Sequence, residues 1–376
     1  MTWVQWRDRA LAEIGEAGQW REPQTLDAAG PCGRLVDEDQ AVVSFASNDY
    51  LGLANHPAVV AAARDALDRW GAGAGASRLI VGSRPIHREL ESALAEWKAT
   101  EAALAFPTGY AANLGLLAAL GGQGATICSD ALNHASIVDG CRLARAETRI
   151  FRHRDLDHLA ALMAATEDRV IVVSDSVFSM DGDAADLEGL ARLCARRRAL
   201  LVLDEAHAVL GPDAGGLDEE VELLRVGTLS KTLGSLGGFV SGSRRWVELL
   251  VNRARPFIFT TALSPAAAAA ALAALGVMRS PEGAALHARL RAHVETVKPG
   301  HASPIVPVIV GEEAHAVEAA GALLERGLLV PAIRPPTVAA GSSRLRVTMS
   351  AAHTAGQVEK LLGALHDLGL LSLVPS

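Results

Sequence analysis

Apolar residues in this chain fall into short runs separated by stretches of helical period. "ALAFPT" near 102–108, "ATICSD" (125–130), "RVIVVSDS" (169–176), "ALLVLDEA" (199–206) and "VELLRVGTLS" (221–230) are β-branched or leucine-rich and read as buried strands. Helical patterns of roughly ten to fifteen residues, such as "DLEGLARLCARRR", lie between them. Strands alternating with helices predict an α/β domain on a mainly parallel sheet. The N-terminal stretch mixes charged and apolar positions like an amphipathic helix and lacks the apolar core of a signal peptide. Ser264 as N-cap and Pro265 at the first helical position start an alanine-rich helix, too short for a convincing membrane span. "RSPEG" (279–283) offers a second Ser-Pro start. Beyond it, "IVPVIV", two helical patterns and "RLRVTMS" predict a small α+β domain. The expected organisation is an N-terminal helical segment (1–46), a large α/β domain (47–279) and a C-terminal α+β domain (280–376).

Composition changes this picture little. Half of the 376 residues are hydrophobic and 21% are charged, an ordinary globular balance. A net charge of −8 supplies no basic footprint for nucleic acid. Cys32, Cys128, Cys141 and Cys194 are widely spaced without a C-x-x-C pair, which suits a reducing, cytoplasmic setting with neither disulfide framework nor zinc site.

Several strings imitate known motifs. "DEAH" (204–207) spells a helicase signature, but no G-x-x-x-x-G-K-[ST] phosphate loop precedes it. "GAGAGA" (71–76) fits a loose dinucleotide pattern, yet a helical stretch precedes it and strand-like "RLIVGS" follows, the reverse of what that fingerprint needs. "HRDL" (153–156) lacks the asparagine of a kinase loop, since position 160 is Ala160. His153 and His158 have no third ligand near them in sequence and read as solvated surface histidines.

Five stretches agree with one another. "PTGYAANLG" (107–115) puts Gly109 and Tyr110 at a helix start, where free N–H groups and the helix dipole hold a phosphate. "DALNHASIVDG" (130–140) places His134 after a strand, where its ring could stack on an aromatic cofactor or cap a helix. In "SDSVFSMDGD" (174–183), Ser179 could hydrogen-bond a ring oxygen or stabilise its own turn. Asp204 ends the strand "LLVL" at the sheet edge where α/β ligands gather, and its carboxylate could pair with a protonated pyridine nitrogen. His207 follows within reach of a phenolic ring oxygen. Lys231, in "GTLSKTLGSLGG" (227–238), stands among small residues and could form a Schiff base with an aldehyde. Together these describe a pyridoxal 5′-phosphate site with no metal.

The series "SNDYLGLANHP" (47–57), "DALNHASIVDG", "VFSMDGD", "DEAH", "TLSKTLGSLGG" and "IRPPTVAAGSSRLRVTMSAAHT" (333–354) resembles the α-oxoamine synthase family of pyridoxal-phosphate fold type I over nearly the whole chain. The resemblance implies a seven-stranded-type central sheet, a homodimer, and decarboxylative condensation of an amino acid with an acyl thioester. "IRPPTV" is most similar to the branch of biotin biosynthesis, which takes L-alanine and a pimeloyl thioester on coenzyme A or acyl carrier protein to 8-amino-7-oxononanoate, CO2 and a free thiol. A glycine-plus-acetyl-CoA branch and a non-catalytic subunit on the same fold are the alternatives. By the same resemblance Lys231 anchors the cofactor and acts in catalysis with His134, Asp204 and His207. Ser179, Thr228, Gly109 and Tyr110 contact the cofactor, Arg334 holds the substrate carboxylate, and Arg21, Asn48 and Thr337 meet substrate. Asp175 stands where the family often has Glu, Ala208 where glycine is common, and Ala339 where proline is usual.

Overall fold

The structure, a computed structural model, describes residues 1–217 and 221–374. Its first elements are α1 (Trp3–Glu16), β1 (Leu26–Ala28), β2 (Cys32–Leu35), β3 (Gln40–Ser44), α2 (Pro57–Trp70) and α3 (Pro85–Trp97). The central run is β4 (Ala102–Phe106), α4 (Gly109–Leu120), β5 (Ala125–Asp130), α5 (Ala135–Leu143), β6 (Glu147–Phe151), α6 (Leu156–Ala164), β7 (Arg169–Asp175), α7 (Leu187–Arg197), β8 (Leu200–Asp204), β9 (Leu223–Thr228) and β10 (Gly238–Gly242). There follow α8 (Arg244–Arg253), α9 (Arg255–Ile258), α10 (Pro265–Met278), α11 (Pro281–Val297), β11 (Ile305–Gly311), α12 (Glu313–Glu325), β12 (Leu328–Leu329), β13 (Ala332–Ile333), β14 (Ser343–Thr348) and α13 (Ala355–Asp367).

Two compact units share these elements. The smaller holds Met1–Ala46, Pro307–Val347 and Glu359–Ser376, the larger Ser47–Val306 and Thr348–Val358. The expected boundary at 279 thus falls inside the larger unit, where α11 packs against α10. The first 46 residues join the smaller unit because β12 pairs in parallel with β3, Leu328 opposite Val43. A pairing between positions so distant in sequence leaves no local signal.

In the larger unit a seven-stranded sheet runs in the order β4-β10-β9-β8-β7-β5-β6. The strands β9, β8, β7, β5 and β6 are parallel, and β10 lies antiparallel to both β4 and β9. Alternation splits the side chains between two cores. Ile171, Val173, Val202 and Val226 pack with Leu116 and Leu117 of α4, Ile137 of α5 and Leu250 of α8. Val170, Val172, Leu201 and Leu203 pack with Leu159 of α6 and Leu190 and Leu193 of α7. Helices cover both faces, which is why these strands read as continuous apolar runs. The helix starts follow the capping chemistry of the sequence. Thr108, Asp155, Asp186, Ser264 and Ser280 each accept a first-turn N–H of the helix that follows.

The strand-like "RLIVGS" is not a strand. Arg78–Gly82 forms a single π-type turn closed by the Gly82 N–H on Ser77 O (2.9 Å). Any side chain at Gly82 would put its Cβ 2.0 Å from Ala76 O, so the turn needs glycine. The Arg78 guanidinium anchors the turn by a two-pronged bond to the Glu91 carboxylate (2.9 and 2.9 Å). Among the described residues no helix is long and apolar enough to cross a membrane.

Candidate active site

Strands β5, β7, β8 and β9 all end at one edge of the sheet, and a cavity of about 250 Å³ opens there. Thr108, Gly109, Tyr110, Asn113, His134, Ser136, Asp175, Asp204, His207, Thr228 and Lys231 line it, all in the larger unit. Most of the candidate residues, scattered across more than a hundred positions of sequence, meet here.

The α4 start forms one wall. Of the N–H groups that a helix start leaves over, Thr108 Oγ1 satisfies that of Ala111 (3.0 Å), while Gly109 and Tyr110 border the cavity. Gly238 makes this wall possible. A Cβ there would stand 2.5 Å from Gly109 N and Cα and 2.6 Å from Thr108 O. Thr228, opposite Gly238 in the ladder, packs against Gly109 and donates from Oγ1 to Gly237 O (3.0 Å).

Asp204 and Asp175 lie side by side in register, both buried. The Asp204 carboxylate accepts from Asn113 Nδ2 (2.7 Å) and from the Ala206 N–H (2.9 Å). Asp175 accepts from the His134 N–H (2.7 Å), and burial together with the neighbouring Asp204 charge pushes its carboxyl well above the ordinary range. His134 caps α5, its Nδ1 accepting from the Ser136 N–H (3.2 Å). Burial holds its imidazole below the ordinary value; Lys231 acts the same way and Asp204 opposes both. The capping reading of His134 thus holds, and the cap sets the ring at the cavity wall. The Lys231 Nζ lies 2.9 Å from His207 Nε2.

Tyr110 is exposed and bonds through its hydroxyl to Asp139. Ser179 does not line the cavity. It is half-buried in the turn after β7, which closes through Gly182 N to Phe178 O (2.8 Å). Asn48, also outside the lining, accepts from the Tyr50 hydroxyl (3.1 Å). Arg21, Arg334 and Thr337 belong to the smaller unit, where Arg334 donates to Gly18 O (2.6 Å) and Trp20 O (3.3 Å), Thr337 donates its N–H to Arg334 O (3.1 Å), and Arg21 is exposed. Three positions bonded to these candidates went unmarked in the sequence. Asn113 lies one turn inside α4 and Ser136 in the first turn of α5, and both look like helix-face polar residues. Tyr50 reads as a core aromatic.

His153 is not a solvated surface histidine. Its ring bridges Asp130 Oδ1 and Asp183 Oδ2, both at 2.9 Å, and packs edge-on against Phe178. His158 is likewise engaged, accepting the Arg152 N–H at Nδ1 (3.0 Å). Burial pushes the Cys128 and Cys141 thiols up to about 11 and Cys194 up to about 12, so none of the three supplies a thiolate.

The residues fit pyridoxal 5′-phosphate as judged by the donor set. The Lys231 amine, the buried Asp204 and Asp175 carboxyl groups and the His134 imidazole, fixed by its cap on α5, face a cavity with the helix start at Gly109 in its wall. Among the described residues the buried Asn113 Oδ1 also has no hydrogen-bond partner.

Comparison with known proteins gives a consistent result. Residues 40–365 match the family model described as aminotransferase class I and II. A protein of Anaeromyxobacter dehalogenans named 8-amino-7-oxononanoate synthase is 52% identical over 364 residues, covering 91% of this chain and 90% of the relative. One of that name from Geobacter sulfurreducens is 45% identical over 380 residues, covering 96% of each. Among solved structures, a serine palmitoyltransferase of S. paucimobilis superposes with a TM-score of 0.91 at 29% identity, over 100% of both chains.

Proposed function

We propose that this chain, which belongs to the class I and II aminotransferase family and within it to the 8-amino-7-oxononanoate synthases, joins L-alanine to a pimeloyl thioester with loss of CO2. The products are 8-amino-7-oxononanoate and the free thiol of coenzyme A or acyl carrier protein. The observation that carries this reading is the Lys231 amine held 2.9 Å from His207 Nε2 in a cavity that also presents the buried Asp204 carboxylate. A non-catalytic subunit would have no use for that set.

The chemistry that pyridoxal 5′-phosphate supplies when bound is an electron sink for the pair left on the amino acid's α-carbon. Lys231 would hold the aldehyde, and its Nζ would take the α-proton. Asp204 would pair with the ring nitrogen, and Asn113 holds the carboxylate in place for that task. His134, whose imidazole burial holds below its ordinary value, would cover one face of the ring. The N–H groups of Gly109 and Tyr110, with Thr228 beside them, would receive the phosphate. His207 would lie beside the ring oxygen. By the family resemblance Arg334 would hold the substrate carboxylate, and Arg21, Asn48 and Thr337 are the further candidates for substrate contact. The working form is a cytoplasmic homodimer.

Borohydride reduction of the yellow holoprotein, followed by peptide mass mapping, tests the anchor. The added mass belongs on the peptide containing Lys231; its appearance on another lysine would refute the assignment.

A further inference from the structure

That reading uses Lys231 and His207 but gives no task to Tyr50, a fully buried side chain in the same unit. A buried phenol needs hydrogen-bond partners, and those of Tyr50 are specific. Its Oη lies 2.5 Å from His207 Nδ1 and 3.1 Å from Asn48 Oδ1. With His207 Nε2 2.9 Å from Lys231 Nζ, one hydrogen-bonded line runs Asn48–Tyr50–His207–Lys231. The Tyr50 backbone is held from two sides, its N–H on Asn48 O (2.9 Å) and its C=O taking the Ala351 N–H (2.7 Å). The phenol and imidazole meet edge-on, 6.1 Å between centroids.

A phenol hydroxyl has one proton to donate. Given to Asn48 Oδ1, it leaves Oη to accept from His207 Nδ1–H. The other ring nitrogen then carries a lone pair, since the partner of one imidazole nitrogen sets the state of the other. We infer that Tyr50 is a positioning residue that holds His207 in the Nδ1–H tautomer and aims the Nε2 lone pair at Lys231. In that arrangement a protonated Lys231 passes one N–H proton to Nε2. The amine becomes neutral and the imidazole becomes an imidazolium, whose Nδ1–H still rests on Tyr50; charge is conserved. The inference rests on the reading of Lys231 as the reacting amine.

The test is 15N NMR of the full-length chain with labelled histidine, with His207 assigned by its loss in His207→Gln. The expected wild-type signature is a protonated Nδ1 and an acceptor Nε2. In Tyr50→Phe the Nε2–H tautomer appears, and kcat of the loaded enzyme falls about tenfold, the size of one lost hydrogen bond, while KM for the amino acid changes less than about twofold. Asn48→Ala moves the tautomer in the same direction to a smaller extent. A wild-type Nε2–H tautomer overturns the inference whether or not Tyr50→Phe folds. So does a Tyr50→Phe protein with unchanged tautomer and kcat. Neither result touches the functional reading, which falls instead if Lys231→Ala retains turnover.

Discussion

His153 joins the end of β5 to the turn that carries Ser179, and its charge makes stability depend on pH in a calculable way. Burial opposes a charge on the ring, but hydrogen bonds and attraction from Asp130 and Asp183 outweigh it and raise the imidazole to about 9 from an ordinary 6.5. The folded-state value lies above the unfolded one. The stabilisation is therefore complete below pH 6.5 and is lost as pH rises through about 9. Fully expressed, a shift of this size is worth about 3 kcal/mol. The side chain is 26% exposed, and screening by solvent cuts that to roughly 1–2 kcal/mol. Denaturant midpoints of wild type and His153→Gln, compared near pH 6 and about pH 10, isolate this contribution from other titrating groups. Wild type loses its advantage of roughly 1–2 kcal/mol across that window, and the variant lacks that slope. Profiles that stay parallel would refute the reasoning.

Three further substitutions probe the cavity. Lys231→Ala abolishes turnover while leaving the denaturation midpoint near that of wild type, checked by thiol release and by far-UV melting. Gly238→Ala drives a Cβ onto the Gly109 backbone at 2.5 Å, where no rotamer offers relief. It costs about 1–3 kcal/mol of stability and weakens cofactor retention, read by melting and by equilibrium dialysis. Asn113→Leu removes the donors to Asp204 (2.7 Å) and Ser136 (2.9 Å). A bond to a charged group is worth about 1.5–3 kcal/mol, so cofactor affinity, followed by absorbance titration, falls about tenfold to a hundredfold.

The sheet was legible because its strands are covered on both faces and their apolar runs are unbroken, as "RVIVVSDS" shows in β7. Asp204, Lys231, His134 and Gly109 stood out as candidates because each sits at or just beyond a strand end or helix start, and the structure brings all four to one cavity. Other features depend on contacts between distant residues. Nothing local marks β12 as a partner of β3, or His153 as the bridge between Asp130 and Asp183. "RLIVGS" misled because β-branched residues resemble a strand wherever they fall, and the constraint at Gly82 comes from the chain folding back on Ala76. Asn113 and Tyr50 stayed hidden because an asparagine inside a helix and a tyrosine beside a turn carry no pattern until the carboxylate or imidazole they touch is placed.

The central claim is the reaction itself. Thiol release and product mass are measured with pimeloyl-CoA and L-alanine, and in parallel with acetyl-CoA and glycine. The account predicts release with the first pair alone, accompanied by a product of the mass of 8-amino-7-oxononanoate. Release with the second pair alone would contradict it and assign the chain to glycine condensation.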